Sequence, residues 1–412
     1  MTAGPALLTQ PFAEALAEAE KIITSAPHVT SERDLAEGHD YLAGSIQASL
    51  RLAWAYQRDF PYFVQSTGPY TKMGLDNPDT LYFHAYLRDD AEYVVTGRRG
   101  TTADLSFQVL KGDYTPVAVP DSLTAFDDRA IDIAGNGEFE FRLGPARSNT
   151  ARSNTAKPNT GKPRRGYFTL GPGSAMLIVR EVYSDWAAER RGTIRIHRAD
   201  QAGCAPPAAT DTATAAKRYA VAGKLLLSRL RTFLAFPEWF YLNEPVNRLT
   251  PPRPTPGGLA TQFSSVGHFA LADDEAMIVT VPAAAKETAP YQGIQLGSMW
   301  YVSLDYINHQ TSLTADQARV DPDGLIRFVI SEQNPGVANW LELTGHRRGY
   351  VQLRWQRLTR DLGPEDGPAV TVVPFGELPG ELPFYRQARV SPAQWRARIA
   401  ARQAAIAERM LG

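Results

Sequence analysis

The densest group of chemically active side chains lies at residues 75–84, Leu-Asp-Asn-Pro-Asp-Thr-Leu-Tyr-Phe-His. Asn77 and Asp79 flank a proline, which favours a turn, and the residues after them have the composition of a strand on which Tyr82 and His84 share one face. A carboxylate, a phenol and an imidazole at the mouth of a strand could perform general acid–base catalysis. Alternatively, Asp79 caps the turn, and Tyr82 and His84 are a satisfied, half-buried pair.

A second polar group follows an apolar run at residues 176–179. Arg180 comes directly after this run, and Tyr183 lies three residues further on as a candidate ligand contact. An arginine at the end of a core strand needs a partner, which could be Asp79, Asp185 or an anionic substrate. A structural ion pair is the alternative to substrate binding.

Aromatic side chains of the C-terminal half form a third group. Trp300 and Tyr301 precede Asp305, and this segment could line an aromatic pocket for a lipophilic or sugar-like ligand. Asn339 and Trp340 are further candidate ligand contacts. Core packing explains the aromatic residues equally well.

Composition and motifs exclude several classes of protein. The 43 basic and 44 acidic residues of the 412-residue chain nearly cancel, which argues against a dedicated nucleic-acid binder. The single cysteine, Cys204, cannot form an internal disulfide, and the seven histidines lack metal-ligand spacing. Phosphate-loop, dinucleotide, zincin and nucleophile-elbow motifs are absent from the sequence. We therefore expect neither a metal nor a cofactor.

The N-terminal residues lack the basic and apolar regions of a signal peptide, and no segment approaches the roughly 20 apolar residues of a membrane span. These observations and the single cysteine predict a cytoplasmic protein without a membrane span.

The periodicity of apolar residues predicts a mainly β protein with accessory α-helices. Period-two runs bounded by turn residues predict antiparallel sheets, and helices are predicted at about residues 11–25, 31–60 and 211–234, the last ending before Pro237. The predicted organisation is N-terminal helices at 1–70, a first β module at 71–205 with a basic loop insertion at 145–166, a connecting helix at 206–250, a second β module at 251–385 and a C-terminal amphipathic helix at 386–412.

Two basic segments need separate interpretation. The short repeat at residues 147–165 predicts a solvated surface loop rather than an anion-binding site. In the C-terminal helix, Arg402 interrupts the apolar stripe, so docking on its own domain or on a sister subunit is favoured over membrane contact. A homo-oligomer is therefore plausible.

Several ordered motifs carry a family resemblance. The sequence Asn-Pro-Asp-Thr-Leu-Tyr at residues 77–82 resembles the N-x-D-T-x-Y motif of a bacterial family of domains of unknown function, the paired 1254 and 1214 types. Segments around 299–306, 321–324, 334–341 and 350–354 resemble the 1214-type domain in their order. The resemblance implies two β-sandwich or jelly-roll-like modules with accessory helices, but no reaction. The glutamate after residue 341, where the family commonly has proline, departs from the pattern.

Two functions follow as hypotheses. In the first, the protein is a cofactor-independent lyase, isomerase or hydrolase acting on a small hydroxylated or lipophilic molecule. Asp79 or His84 would be the base, Tyr82 the acid or oxyanion donor, and Arg180 would orient the substrate.

In the second hypothesis, the protein is a non-catalytic small-molecule- or carbohydrate-binding or assembly protein. Trp300, Tyr301 and Trp340 would stack on a ring of the ligand without turnover. The absence of a recognised nucleophile–base pair favours this alternative.

Overall fold

The computed structural model describes residues 7–112, 120–146, 166–201, 209–255 and 261–411. The basic repeat at 147–165 and Cys204 lie outside the described residues. The mainly β fold with accessory helices is confirmed, since the described strands form four sheets. Among the described helices, none has both the length and the apolar character that crossing a bilayer requires.

The helices flank and connect the sheets. They are α1 (Gln10–Thr24), α2 (Glu32–Trp54), α3 (Thr212–Phe240), α4 (Leu378–Glu381), α5 (Tyr385–Ala388) and α6 (Pro392–Leu411), with 3-10 turns at Asp128–Ala130, Pro364–Asp366 and Phe375–Glu377. Ser31 caps α2, because its side chain accepts a hydrogen bond from the Asp34 amide at 3.1 Å.

Helix α3 ends at Phe240, six residues beyond its predicted end. Pro237 lies inside the helix, and the Tyr241 amide donates to the Pro237 carbonyl at 2.8 Å. A proline removes one main-chain donor. These additional residues place Phe236 and Phe240 beside Tyr301, and this packing offsets the lost bond.

The first β module is a sandwich of two sheets. Sheet 1 has the order β1-β2-β8-β4-β5 and sheet 2 the order β7-β6-β3-β9. The strands are β1 (Val64–Thr67), β2 (Thr80–Tyr86), β3 (Tyr93–Arg98), β4 (Asp104–Lys111), β5 (Ser122–Asp127), β6 (Glu138–Gly144), β7 (Tyr167–Thr169), β8 (Ser174–Val182) and β9 (Thr193–Arg198).

The second β module repeats this architecture. Sheet 3 has the order β10-β11-β17-β13-β14 and sheet 4 the order β16-β15-β12-β18. The strands are β10 (Arg253–Pro254), β11 (Phe263–Ala270), β12 (Glu275–Pro282), β13 (Tyr291–Gly297), β14 (Ser312–Thr314), β15 (Leu325–Ser331), β16 (Trp340–Glu342), β17 (Arg348–Gln356) and β18 (Ala369–Pro374).

Each sandwich has its own apolar core. Phe107 and Val179 of sheet 1 pack on Phe141 of sheet 2, while Leu353 of sheet 3 packs in one cluster with Phe328 of sheet 4. Alternate residues of the inner strands point the other way. Sheets 1 and 3 therefore turn their second faces toward each other, and these faces carry polar side chains.

Helix α6 docks on its own chain across both modules. The buried Arg402 guanidinium donates to the Tyr306 carbonyl at 3.1 Å and to the Ser312 carbonyl at 3.0 Å, and it lies 4.5 Å from the Trp186 ring. Arg409 donates to the Pro78 carbonyl at 2.8 Å. The arginines of the apolar stripe thus bind main-chain acceptors of both sandwiches.

Replacing Arg402 with alanine should lower the free energy of unfolding by roughly 2–5 kcal/mol, because several buried acceptors lose their donor. Arg396→Ala on the exposed side of the same helix should change it by less than about 0.5 kcal/mol. Chemical denaturation followed by tryptophan fluorescence measures both. Equal effects of the two substitutions would contradict the docking of α6 through Arg402.

Candidate functional site

A cavity of about 150 Å³ lies between the polar faces of sheets 1 and 3, and the end of α3 closes one side. We call it the central cavity. Tyr82 and His84 of β2 and Arg180 of β8 line it from sheet 1, and Gln352 and Arg354 of β17 line it from sheet 3. The cavity is therefore completed only when the two modules pack together.

The strand register brings the sheet 1 residues together. Tyr82 and Arg180 are direct cross-strand partners, so their side chains emerge side by side on the same face. Ser106 of β4 is the partner of Arg180 on its other side, and Gln108 accepts a hydrogen bond from Arg180 at 2.8 Å. The Arg180 guanidinium is thereby held at the cavity wall.

Small residues on both neighbouring strands of sheet 3 leave room for the Arg354 side chain. Arg354 is paired with Ser264 of β11 and Gly293 of β13. Its guanidinium donates to the Leu75 carbonyl at 2.7 Å and to the Gln295 side chain. These bonds fix Arg354 against the segment that leads into β2.

The central cavity is electrostatically positive. Arg180, Arg253 and Arg354 line it, and none of the described lining residues is an aspartate or a glutamate. Within the described part of the chain, Arg180 and Arg354 form no ion pair, whereas Arg253 lies 3.6 Å from Glu244. A buried arginine without a carboxylate partner attracts an anion.

Several polar atoms of the wall residues have no hydrogen-bond partner among the described residues. These are the hydroxyls of Thr67 and Thr80 and the amide oxygen of Gln356, all of which are buried. Buried polar atoms normally have a partner, so these three are available to hydroxyl groups of a ligand or to water.

The remaining wall is aromatic and its backbone is strained. Phe233, Phe236 and Tyr301 line it, and the last two stack with ring centroids 5.3 Å apart. Tyr301 has φ 56°, and Leu75, which also lines the cavity, has φ 47°. Left-handed conformations of non-glycine residues are costly and are concentrated at functional sites.

Tyr82 presents a neutral phenol. Its hydroxyl accepts a hydrogen bond from the Asn77 amide at 3.0 Å, which leaves the phenolic proton free to be donated. Burial raises the pKa of Tyr82. Tyr82 can therefore donate a hydrogen bond or a proton to an acceptor in the central cavity.

His84 is a neutral imidazole. Its Nδ1 lies 3.0 Å from the Ser66 hydroxyl, and burial, followed by the charges of Arg180 and Arg229, lowers the pKa of His84 to about 3. Burial and the nearby arginines thus disfavour protonation of the His84 imidazole.

Asp79 lies outside the cavity lining. One carboxylate oxygen accepts a hydrogen bond from the Trp186 indole at 2.7 Å, and the other accepts one from the Tyr291 hydroxyl at 2.6 Å. Burial raises the pKa of Asp79, and these bonds oppose the rise. Asn77, which lines the cavity, also forms a hydrogen bond with Tyr291. Asn77 and Asp79 therefore connect the segment before β2 to β13.

The other predicted ligand contacts are distributed over the structure. Tyr301 lines the central cavity, whereas Trp300 and Asp305 line a separate one, bounded by α2 and residues 298–309, which we call the helix-side cavity. Tyr183 is buried beneath Arg409.

Asn339 and Trp340 lie in neither cavity lining. Asn339 is bonded to the Arg319 main chain on both sides of its amide, at 2.7 and 2.8 Å. The Trp340 indole donates to the Ser331 carbonyl at 3.0 Å. Both residues thus hold the loops of sheet 4 to one another.

The sequence reasoning missed Arg354, Gln352 and Tyr241. Tyr241 donates to Gln352 at 2.9 Å, and both line the central cavity. The signal was present in β17, where Gln352, Arg354 and Gln356 alternate with Val351, Leu353 and Trp355 of the core. In the described residues, no cluster of three or more histidine, cysteine or acidic side chains is arranged to hold a metal ion.

Comparison with solved structures finds the same fold in bacteria. The crystal structure of an uncharacterized protein from Burkholderia cenocepacia matches with a TM-score of 0.75 and 26% identity, covering 90% of this chain and 97% of that chain. The VPA0106 protein from Vibrio parahaemolyticus matches with a TM-score of 0.45 and 11% identity, covering 87% and 100%. No protein-family model and no curated protein match the chain. The chain shares its fold with an uncharacterized bacterial protein.

Acid should destabilise the protein through His84. Its pKa is about 3 in the folded state, against about 6.5 when unfolded, so only the unfolded state binds a proton between these values. Stability is therefore lost as pH falls below about 6.5, by about 2 kcal/mol between pH 7.5 and pH 5.

His84→Asn should remove this share of the pH dependence, which unfolding midpoints at the two pH values measure. The exposed His197 provides the control, since His197→Asn should retain the pH dependence of the parent protein. A pH dependence unchanged by His84→Asn would show that the imidazole is not held neutral.

Proposed function

We propose that the central cavity binds a small organic anion with hydroxyl groups and an apolar body, and that the protein is a cofactor-independent enzyme acting on it. The observation that carries this proposal is the set of three arginines, Arg180, Arg253 and Arg354, in a lining without a carboxylate. A carboxylate or phosphate would supply the negative charge that this lining lacks.

Different walls of the central cavity would recognise different parts of such a ligand. Arg180 and Arg354 project from different sheets, so an anionic group between them would be bound from two directions. The unpaired atoms of Thr67, Thr80 and Gln356 would bond hydroxyl groups. The phenylalanines at the end of α3 would cover the apolar part of the ligand.

The proposed chemistry is acid–base catalysis of a lyase, isomerase or hydrolase type. Tyr82 would donate its proton to an oxygen on which charge develops, and Arg180 would stabilise that charge. His84, as a neutral imidazole, is the candidate base nearest to Tyr82 on the same strand face. We assign Asp79 a positioning role, because both of its oxygens already accept hydrogen bonds.

The second candidate function is non-catalytic binding of the same ligand class, or an assembly role. It is favoured by the engagement of Asp79, which leaves the central cavity without a carboxylate base among the described residues. Turnover distinguishes the two candidates.

We make three further proposals, which concern the protein family, the cellular location and the oligomeric state. The motif at residues 77–82 supports membership of the 1254/1214-type family, and the single cysteine is compatible with a cytoplasmic location. A homo-oligomer is compatible with the fold, although α6 is occupied by its own chain.

Calorimetric titration with small hydroxycarboxylates and aryl carboxylates, each beside its neutral amide, should show binding of the acids only. Arg180→Met should weaken that binding by about tenfold or more, because a charged hydrogen bond is lost. Arg195→Met, on the exposed face of β9, should leave the affinity unchanged. Equal binding of acids and amides, or an Arg180→Met variant with full affinity, would refute the anion site.

Turnover of a bound acid should depend on the Tyr82 phenol. Tyr82→Phe should lower kcat by about a hundredfold or more while KM changes little, since proton donation is lost but the arginines remain. Tyr86→Phe, on the same face of β2 and outside the cavity lining, is the control. Product analysis by NMR measures both. Binding without any product, in parent and variants alike, would support the non-catalytic alternative.

A further inference from the structure

The helix-side cavity has a volume of about 700 Å³, which is in the range of small-molecule sites. It lies between α2 and residues 298–309, and segments 69–72 and 344–346 complete its lining. The helix-side cavity adjoins the central cavity but has a different lining. Lys72 and Trp300 line the helix-side cavity, and the residues that directly follow them, Met73 and Tyr301, line the central cavity.

The wall of this cavity is fixed by short contacts. The Lys72 ammonium donates to the carbonyls of Ser303 at 2.7 Å and Leu304 at 2.8 Å. Gly44 of α2 permits a close approach of the next loop, since a Cβ there would lie 2.5 Å from the Tyr70 carbonyl. Both anchors hold segment 69–72 in place before any ligand arrives.

The charges of the lining nearly cancel, since its described residues include two cationic side chains and three carboxylates. Glu37 lies 3.2 Å from Arg33 and 2.8 Å from His346, so its charge is compensated within the wall. Asp305 accepts hydrogen bonds from the main-chain amides of residues 307 and 308. Since Asp40 opposes an anion and Lys72 opposes a cation, the lining favours a neutral ligand.

Unused hydrogen-bonding capacity remains on both sides. Lys72 has a third N–H, and His309 uses Nδ1 for Glu342 at 3.0 Å, which leaves Nε2 available. The Asp40 carboxylate has no hydrogen-bond partner within the described residues. Donors and acceptors in one cavity match hydroxyl groups, which both donate and accept.

An aromatic ring stands at the rim. Tyr70 is 69% exposed, the highest value among the large hydrophobic side chains of the described residues. Its backbone packs closely on α2 at Gly44, which places the ring at the rim of the cavity. An aromatic face packs well on the C–H face of a pyranose, while the ring hydroxyls point toward polar groups.

We propose that the helix-side cavity is a second binding site, for a neutral polyhydroxylated molecule, namely a monosaccharide or a sugar unit of a glycan. Tyr70 stacks on the sugar ring, and Asp40, Lys72 and His309 bond its hydroxyl groups. This site is independent of the anion site, because it uses a different lining, in which basic and acidic side chains nearly cancel.

The test is saturation-transfer NMR and calorimetry on the full chain with glucose, galactose, N-acetylglucosamine, myo-inositol and a short glucan. At least one probe should bind, and Tyr70→Ala should weaken it about five- to tenfold. Asp40→Asn should weaken it as well, and both side chains are exposed enough to be replaced without loss of the fold.

Tyr62→Ala is the matched control, since Tyr62 is 48% exposed and lies outside this cavity's lining. Arg180→Met should also leave sugar binding intact, so failure of the anion site and failure of the sugar site are separable. Binding of the glucan alone identifies a glycan as the source, and binding of free sugars identifies a metabolite. No saturation transfer from any probe, or binding insensitive to both Tyr70→Ala and Asp40→Asn, would overturn the proposal.

Discussion

Two sheets that bury polar faces against each other must provide a partner for nearly every donor and acceptor between them. This constraint shapes the region between sheets 1 and 3. Asp76 accepts hydrogen bonds from both the amide and the hydroxyl of Ser303, and Gln295 donates to the Asp76 carbonyl. Asp79 is satisfied by Tyr291 and by an indole. Where hydrogen-bond donors and acceptors of the described residues are not paired, they line the central cavity.

The same constraint explains the basic residues of α6. Loop carbonyls at the edge of the interface need donors, and a long guanidinium supplies several from one side chain. Arg402 and Arg409 reach those carbonyls while their planar groups lie on Trp186. A pattern that resembled an interrupted apolar stripe is therefore the pattern of a helix docked on a polar seam.

The sequence predicted elements well because their signals are local. Alternation predicted the strands, and the predicted starts of α2 and α3 lie within one residue of the observed ones, whereas α2 ends at Trp54, six residues before its predicted end. The prediction that α3 ends before Pro237 was wrong, because the packing of Phe236 and Phe240 outweighs one missing main-chain hydrogen bond. Of the site, the pairing of Tyr82 with Arg180 depends on register, and the contribution of Arg354 depends on how two modules pack. Neither is encoded in the spacing of residues along one strand.

The distance along the chain between contacting groups has a consequence for folding. Asn77 and Tyr291 are 214 positions apart, and Arg409 and Pro78 are 331 apart. Each sandwich can form its core from residues within its own half, but the seam between them closes only after both exist. The central cavity is thus a product of the last and most non-local step of folding, and its formation is a sensitive report that folding is complete.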